Sequence, residues 1–281
     1  MPVAELNGTT LYYQEIGAGM PCVVIHGGLG LDHVYMRPLD PLGGALRLIY
    51  VDVRGNGRSG RPPLETLTFD TFCADLEALR QHLGIERWAA LGNSYGGFIA
   101  LEYALRYPER ISHLILSDTS PSWGDYEDEI GATIERHNPS PDVLAALAEE
   151  PTDDASFARN FTALLPLYYA HYDADRARRQ VEETIFCYQT AAYTLAMATR
   201  VYNVTERLGE IHLPTLVTVG REDFICPPSR AMILHAGIPG SELSIFEDSG
   251  HFPFVEQPEE FFPDVRIWLA HHPDGGQTRS M

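Results

Sequence analysis

The stretch AALGNSYGGFIALEYALRYPERISHLILSDTS, residues 89–120, decides the fold of this chain. A short apolar run precedes Ser94, and apolar residues at helical spacing follow it as far as Pro108. The next apolar run, 111–118, lacks the alternation of a half-exposed strand, which indicates a strand buried on both faces. Strand, helix and strand in this order predict a parallel βαβ unit.

The same organisation continues on both sides of this stretch. Segments 21–30 and 46–60 each join an apolar run to a glycine-rich turn, and strand-like and helix-like segments alternate again after about residue 211. TTLYYQEIG, 9–17, alternates and predicts an early antiparallel strand. We therefore predict an α/β fold with a mostly parallel central sheet and helices on both faces.

The sequence changes in character after the strand that ends near Asp118. From about Ser122 to Arg207 it is acidic, rich in alanine and helix-like. We predict that a helical cap, residues 122–210, is inserted between two parts of the core, 1–121 and 211–270. The polar, glycine-rich end, 271–281, is expected to be a flexible tail.

Composition limits the classes of partner. A net charge of −19 over 281 residues argues against nucleic acids and anionic membranes, because both require a basic surface. No apolar run has the length of a membrane span, and the N-terminus lacks a signal-peptide pattern. Four widely spaced cysteines without a CxxC pair favour reduced thiols over a zinc site. We expect a cytoplasmic monomer or small homo-oligomer with no metal and no cofactor, acting on a small molecule or short peptide.

The segment GNSYG, 92–96, predicts a nucleophile at Ser94. The pattern G-x-S-x-G arises by chance, but here it lies between a predicted strand and a predicted helix. Small flanking residues allow the sharp turn that exposes the serine hydroxyl. The helix that follows offers free backbone N–H groups to a developing oxyanion.

A serine hydroxyl needs a base, and the base needs an acid to hold its tautomer. His251, in a loop after a predicted strand, is the candidate base, and Asp223, which also follows a strand, is the candidate acid. Two rivals to Asp223 remain open. Glu222 is adjacent but would point elsewhere, and Asp118 ends the strand after the nucleophile helix.

Two backbone N–H groups are required to stabilise the oxyanion. We predict that Tyr95 provides one of them and Gly28, in the glycine-rich loop HGGLG at 26–30, provides the other. His26 is then expected to hold this loop through its ring. The second glycine-rich turn, DVRGNGRSG at 52–60, lacks the ending of a P-loop and is expected to be structural, with Asp52, Arg54 and Arg58 pinning it.

The order of these motifs resembles the α/β-hydrolase superfamily. HGGLG, DVRGNGRS, GNSYGG, GREDFICP and SGHFPF cover about residues 20–120 and 211–270. Within the superfamily the chain is most similar to the proline iminopeptidase branch, whose members carry HGGPG, an RGxGRS turn, a GxSxGG elbow and a helical cap. The resemblance implies release of N-terminal residues, proline above all, from short peptides.

Two departures from that branch bear on the substrate. Leu29 replaces a proline in the glycine-rich loop, and Phe224 stands where a glutamate that holds the substrate amine usually follows the acid. The segment CYQTAAYTLAM, 187–197, also has no acidic residue. A buried ammonium group needs a negative partner. The remaining candidates for that partner are cap acids such as Asp173, Asp175, Glu182 and Glu183.

The resulting prediction is a serine hydrolase that forms an acyl-enzyme on small, partly apolar esters, lactones or amides. The alternatives are a proline iminopeptidase-type aminopeptidase, a C–C bond hydrolase and a non-catalytic ligand-binding module. Aromatic residues of the cap are expected either to line the pocket or to pack the cap interior. The predicted pocket residues are Leu29, Tyr168, Tyr188, Tyr193, Phe224 and Phe252.

Overall fold

A computed structural model describes residues 2–273, in which eight strands form one sheet of order β1-β2-β4-β3-β5-β6-β7-β8. The strands are β1 Val3–Leu6, β2 Thr9–Ile16, β3 Met20–Ile25, β4 Leu46–Val51, β5 Trp88–Asn93, β6 Ile111–Ser117, β7 Thr215–Gly220 and β8 Glu242–Phe246. Strand β2 is antiparallel to β1 and to β4, and every pairing from β4 to β8 is parallel. This arrangement confirms the predicted, mostly parallel sheet.

Helices cover both faces of the sheet. They are α1 Phe69–His82, α2 Tyr95–Arg106, α3 Glu127–Arg136, α4 Pro141–Ala148, α5 Asp154–Tyr168, α6 Ala174–Glu183, α7 Tyr188–Val201, α8 Pro228–Gly237, α9 Pro253–Glu256 and α10 Pro258–His271. Side chains of successive strand residues point to opposite faces. In β3, Val23 and Ile25 therefore pack with α1, α2 and α8, whereas Cys22 and Val24 pack with α10 and the 3₁₀ helix His33–Gly44.

Five helices, α3 to α7, lie between β6 and β7, within the range 122–210 that was predicted to form a cap. Cys187, just before α7, and Thr190, in its first turn, contact the two glycine-rich turns of the core. Cys187 donates its N–H to the Gly30 carbonyl at 2.8 Å, and the Thr190 hydroxyl donates to the Gly55 carbonyl at 2.7 Å. The helical insertion is therefore fixed above the loops that follow β3 and β4.

The C-terminal part of the described chain is ordered further than the sequence suggested. Helix α10 continues to His271, and the His272 carbonyl accepts a hydrogen bond from Nε2 of His113 at 2.5 Å. The rest of the predicted tail, 274–281, lies outside the described residues.

Two bulk features accompany this fold. Each of the four cysteines is buried and unpaired. Across residues 2–273, no helix combines the length and the apolar character that crossing a membrane requires.

Candidate active site

Ser94 occupies a strained turn between β5 and α2. Its backbone has φ 55° and ψ −125°, in the left-handed region that residues other than glycine rarely adopt. The flanking glycines are required by close packing. A Cβ at Gly92 would meet the Gly96 carbonyl oxygen, and a Cβ at Gly96 would meet the carbonyl oxygen of Ile25. The pattern G-x-S-x-G is thus explained by the backbone geometry here.

Hydrogen bonds from neighbouring segments hold this turn in place. The Ser94 N–H donates to the Ser117 carbonyl at 3.1 Å, and the Ser94 carbonyl accepts from Gly97 N and from the Thr119 hydroxyl, both at 2.8 Å. Strain of this kind persists only where surrounding contacts fix it, and such positions concentrate at functional sites.

His251 and Asp223 form a buried pair. His251 Nδ1 lies 2.8 Å from Asp223 Oδ2, and the side chains are 2% and 0% exposed. The other oxygen, Oδ1, accepts the backbone N–H groups of Ile225 at 3.0 Å and Cys226 at 3.1 Å. Because a carboxylate only accepts, Nδ1 carries the proton and Nε2 is left as an acceptor.

The loop that carries His251 is joined to the helical insertion. The His251 N–H donates to the Tyr168 carbonyl at 2.7 Å. One carboxylate, Glu256, accepts from Gly250 N at 2.7 Å and from His171 N at 2.8 Å. The position of the imidazole is thus set by the end of α5 as well as by the core.

Ser94 and His251 line one cavity of about 230 Å³. Its wall is mainly apolar and includes Phe98, Trp123, Phe157, Phe161, Leu195 and Ile225. None of the lining residues is Asp, Glu, Lys or Arg, so within residues 2–273 no charged side chain forms part of this wall.

Three of the six predicted pocket residues, Leu29, Tyr168 and Phe252, line the cavity, and three do not. Tyr188 packs against Phe157 with ring centroids 6.5 Å apart, and Tyr193 packs against the core between the sheet and α1 and α2. Phe224 is 4% exposed, its ring centroid lies 5.0 Å from that of Tyr168, and it is not one of the residues that line the cavity. Its neighbour Ile225 lines the cavity instead.

The face of α7 explains the outcome for the tyrosines. Ala191, Thr194, Leu195 and Ala198 line the cavity, and this spacing of three and four residues defines one helical face. Tyr188 and Tyr193 are therefore directed elsewhere. The same periodicity was present in the sequence and could have identified the lining face, but no signal in the sequence marked Trp123, Phe157 or Gln180 as cavity residues.

The two predicted oxyanion donors lie beside Ser94. Gly28 and Tyr95 both line the cavity, and a Cβ at Gly27 would lie 2.6 Å from Cβ of Ser94. Tyr95 is the first residue of α2, where backbone N–H groups have no partner within the helix. The loop is held because Gly27 N donates to the Tyr35 hydroxyl at 2.6 Å.

The remaining polar residues of the two glycine-rich turns are structural. His26 Nε2 accepts from Val53 N at 3.1 Å and Nδ1 lies 3.0 Å from the Gly27 carbonyl, while burial lowers the pKa of this imidazole. Asp52 accepts from Arg58 N at 2.8 Å, and Arg54 forms a buried ion pair with Asp75 at 2.5 Å. These contacts bear out the expected structural role of His26 and of the turn at 52–60.

Asp118, the rival acid, is engaged elsewhere. It is fully buried, and its oxygens accept from Gly220 N at 2.9 Å and from the Ser117 hydroxyl at 2.7 Å. Burial, followed by the charge of Asp223, raises the pKa of Asp118 well above its usual range. Among the hydrogen bonds of residues 2–273, the His251 side chain is paired with Asp223 and with neither Asp118 nor Glu222.

We expect Asp118→Asn to retain about the wild-type kcat/KM, because an amide keeps the shape of the carboxyl and Asp118 is hydrogen-bonded to Gly220 and Ser117 instead of to His251. The pKa of Asp118 is raised on folding. Its favourable contribution to the free energy of unfolding is therefore complete below the unfolded pKa of about 3.9. That contribution is lost as the pH rises through the folded value. Melting temperatures measured from pH 4 to pH 8 should therefore shift in favour of the variant with rising pH. A variant as inactive as an Asp223 substitution would transfer the acid role to Asp118.

Comparison with known proteins places this geometry in a family. Residues 21–258 match the family model described as alpha/beta hydrolase fold. The chain is 32% identical to a proline iminopeptidase from Lactobacillus crispatus, covering 94% of this chain and 96% of that protein. It is 29% identical to the proline iminopeptidase PfmaB from Pestalotiopsis fici, covering 94% and 98%.

A solved structure agrees with these relatives. The esterase EaEST from Exiguobacterium antarcticum superposes with a TM-score of 0.75 at 25% identity, covering 94% of this chain and 96% of that one. These relatives are named as hydrolases, which confirms the prediction of a hydrolytic enzyme with an α/β-hydrolase fold. The chain therefore belongs to the α/β-hydrolase family.

Proposed function

We propose that this hydrolase acts through Ser94, His251 and Asp223 and forms an acyl-enzyme. Ser94 attacks the acyl carbon while Nε2 of His251 takes the hydroxyl proton, and His251 then passes that proton to the leaving group. Asp223 holds the imidazole through Nδ1 at 2.8 Å and stabilises the imidazolium. The N–H groups of Gly28 and Tyr95 stabilise the oxyanion, and water activated by His251 releases the acid.

We further propose that the acyl group is small, neutral and largely apolar. This proposal rests on the cavity wall, in which no Asp, Glu, Lys or Arg of residues 2–273 takes part. An ammonium group enclosed there would lose its hydration without gaining a negative partner. Four acids of the insertion, Asp173, Asp175, Glu182 and Glu183, were candidates for that partner, but all four are exposed to solvent.

Residues 122–210 act, in this proposal, as a cap over the reaction centre. Lining residues from α5, α6 and α7 face the core residues across the cavity. Leu195 lines the cavity and is also 53% exposed, which marks the mouth. A cap of this kind excludes water from the acyl group while the leaving group departs through the mouth.

A proline iminopeptidase activity is the second candidate, and it is favoured by the names of the two relatives at 29% and 32% identity. That activity requires the site to hold a free amine. The residue that follows Asp223 is Phe224, which is buried against Tyr168 and apolar neighbours. The two candidates therefore differ in one property, the preference for a charged or a neutral group beside the scissile carbonyl.

A matched pair of anilides separates the two activities. Proline p-nitroanilide and cyclopentanecarboxylic acid p-nitroanilide share a leaving group and a ring, and differ by the replacement of NH₂⁺ with CH₂. We expect the neutral compound to have the higher kcat/KM by at least about 100-fold, because an unpaired ammonium is costly to enclose. Release of p-nitroaniline is the measurement.

The corresponding p-nitrophenyl ester, p-nitrophenyl cyclopentanecarboxylate, serves as the reactive control, since it tests the acyl pocket when anilide turnover is slow. Each rate is corrected with the Ser94→Ala variant. A higher kcat/KM for the proline compound would reject the neutral-acyl proposal and establish the aminopeptidase activity.

A further inference from the structure

Gln180 is a polar residue of α6 in the apolar wall of the cavity. It is half-buried and lines the cavity together with Phe157 and Phe161 of α5. Its Oε1 accepts the hydroxyl hydrogen of Tyr169 at 2.7 Å, and Tyr169 is only 4% exposed. The buried Tyr169 thus fixes the carbonyl oxygen of the Gln180 amide, and the NH₂ group of that amide points away from Tyr169.

The hydrogen bond to Tyr169 is the one that the Gln180 amide makes within residues 2–273, and its nitrogen donates none there. Other polar groups of the wall are already engaged. The Tyr35 hydroxyl donates to Asn93 at 2.9 Å, and the Thr194 hydroxyl donates to the Thr190 carbonyl at 2.7 Å.

Two further hydroxyl groups belong to residues of the wall. The Tyr95 hydroxyl donates to the Thr194 carbonyl at 3.3 Å. The ring of Tyr168 stands edge-on to that of His251 with centroids 5.4 Å apart and belongs to the reaction centre. Away from the reaction centre, the NH₂ group of Gln180 and the indole N–H of Trp123 are therefore the donors of the cavity wall without a hydrogen-bond partner in the described chain, and of these two only the Gln180 amide is held in place by a hydrogen bond of its own side chain.

We propose that Gln180 determines specificity by donating a hydrogen bond to a neutral oxygen of the substrate other than the reacting carbonyl. The preferred substrates are then acyl compounds with a second acceptor, such as a keto group, rather than plain alkyl esters. This inference rests on the proposed function, because it assigns a group to the same cavity.

The chemistry of the amide supports a neutral acceptor. Gln180 carries no charge, and no lysine or arginine among residues 2–273 lines the cavity to balance a carboxylate. An ammonium group is excluded for the opposite reason, since it is a donor and would face another donor. A ketone, ester or lactone oxygen accepts a hydrogen bond without bringing a charge into the cavity.

The test compares p-nitrophenyl hexanoate with p-nitrophenyl 4-oxohexanoate and p-nitrophenyl 5-oxohexanoate. The two oxo esters carry a keto group at different distances from the reacting ester carbonyl. In the wild type we expect at least one oxo ester to exceed hexanoate in kcat/KM by about tenfold. In Gln180→Met, which keeps the volume and removes the donor, that ratio should fall to about one or below. The matched control is Gln189→Met, because Gln189 is an exposed glutamine of α7, and it should keep the wild-type ratio.

A second variant covers the case in which Gln180→Met does not fold. Tyr169→Phe removes the hydroxyl that holds Oε1 and should lower the oxo-ester ratio by freeing the amide. A wild-type ratio of one, or a tenfold ratio that survives in Gln180→Met, would overturn the role of Gln180 while leaving the proposed hydrolase intact. Absence of Ser94-dependent turnover of all three esters would instead reject the proposed function, and this inference with it.

Discussion

Ser94→Ala is expected to lower kcat for p-nitrophenyl butyrate by on the order of 10⁵- to 10⁶-fold, as removal of a triad nucleophile does in other serine hydrolases. The reason is local. Ser94 has the hydroxyl at the strained turn that faces the cavity shared with His251. Without it the imidazole has no proton to take and no acyl-enzyme forms.

Covalent labelling measures the same loss independently of turnover. A fluorophosphonate should label the wild type at one serine and leave Ser94→Ala unlabelled. Alanine keeps the backbone at φ 55° and adds no bulk, so the variant should fold with a melting temperature near that of the wild type. Ser244→Ala, at a half-buried serine of the edge strand β8, is the matched control and should be labelled normally. Labelling that persists in Ser94→Ala would reject the assignment.

The candidate triad residues lie at strand ends, and their positions there could be predicted from the sequence because backbone constraints fix them. Gly92 and Gly96 admit no side chain, and a parallel strand must end in a loop at one edge of the sheet. Those two constraints position Ser94 without reference to the rest of the fold. His251 and Asp223 also follow strands, β8 and β7, and these strands are neighbours in the sheet.

Side chains of the helical insertion could not be located in this way. Their direction depends on how α5, α6 and α7 pack on the core, and no local rule fixes that packing. The large aromatic side chains of Tyr188 and Tyr193 predict pocket residues, yet the lining face of α7 is formed by small and aliphatic ones. Gln180 gave no signal, because a glutamine on a charged helix is typical of a solvent-facing position.

The direction of the Phe224 side chain could not be predicted from the sequence for a different reason. The position next to Asp223 was identified from the motif, but the direction of its side chain was not. The backbone N–H groups of Ile225 and Cys226 both turn toward Asp223, and this turn directs Phe224 into the cluster with Val143 and Leu167. A motif thus fixes the chemistry at its central residue, whereas its neighbours require the folded turn.

Asp223→Asn is the second large effect, with an expected fall in kcat of about 10⁴-fold, the magnitude known for the same change in a serine protease triad. The surrounding bonds dictate how an asparagine would sit. Oδ1 accepts from Ile225 N and Cys226 N, and only an oxygen can take that place. The amide NH₂ must therefore occupy the position of Oδ2, 2.8 Å from Nδ1 of His251.

That orientation forces His251 into the wrong tautomer. Nδ1 must accept from the amide, so the proton moves to Nε2, and His251 can no longer take the proton of Ser94. Steady-state kinetics of the variant on p-nitrophenyl butyrate measures the loss, and fluorophosphonate labelling should slow in parallel. Asp118→Asn is the matched control, since it makes the same chemical change at a carboxyl that does not contact His251 in the described chain. Because only one of the two substitutions alters the tautomer, a large loss in Asp223→Asn with little loss in Asp118→Asn identifies the acid. The reverse pattern would assign the acid to the end of β6.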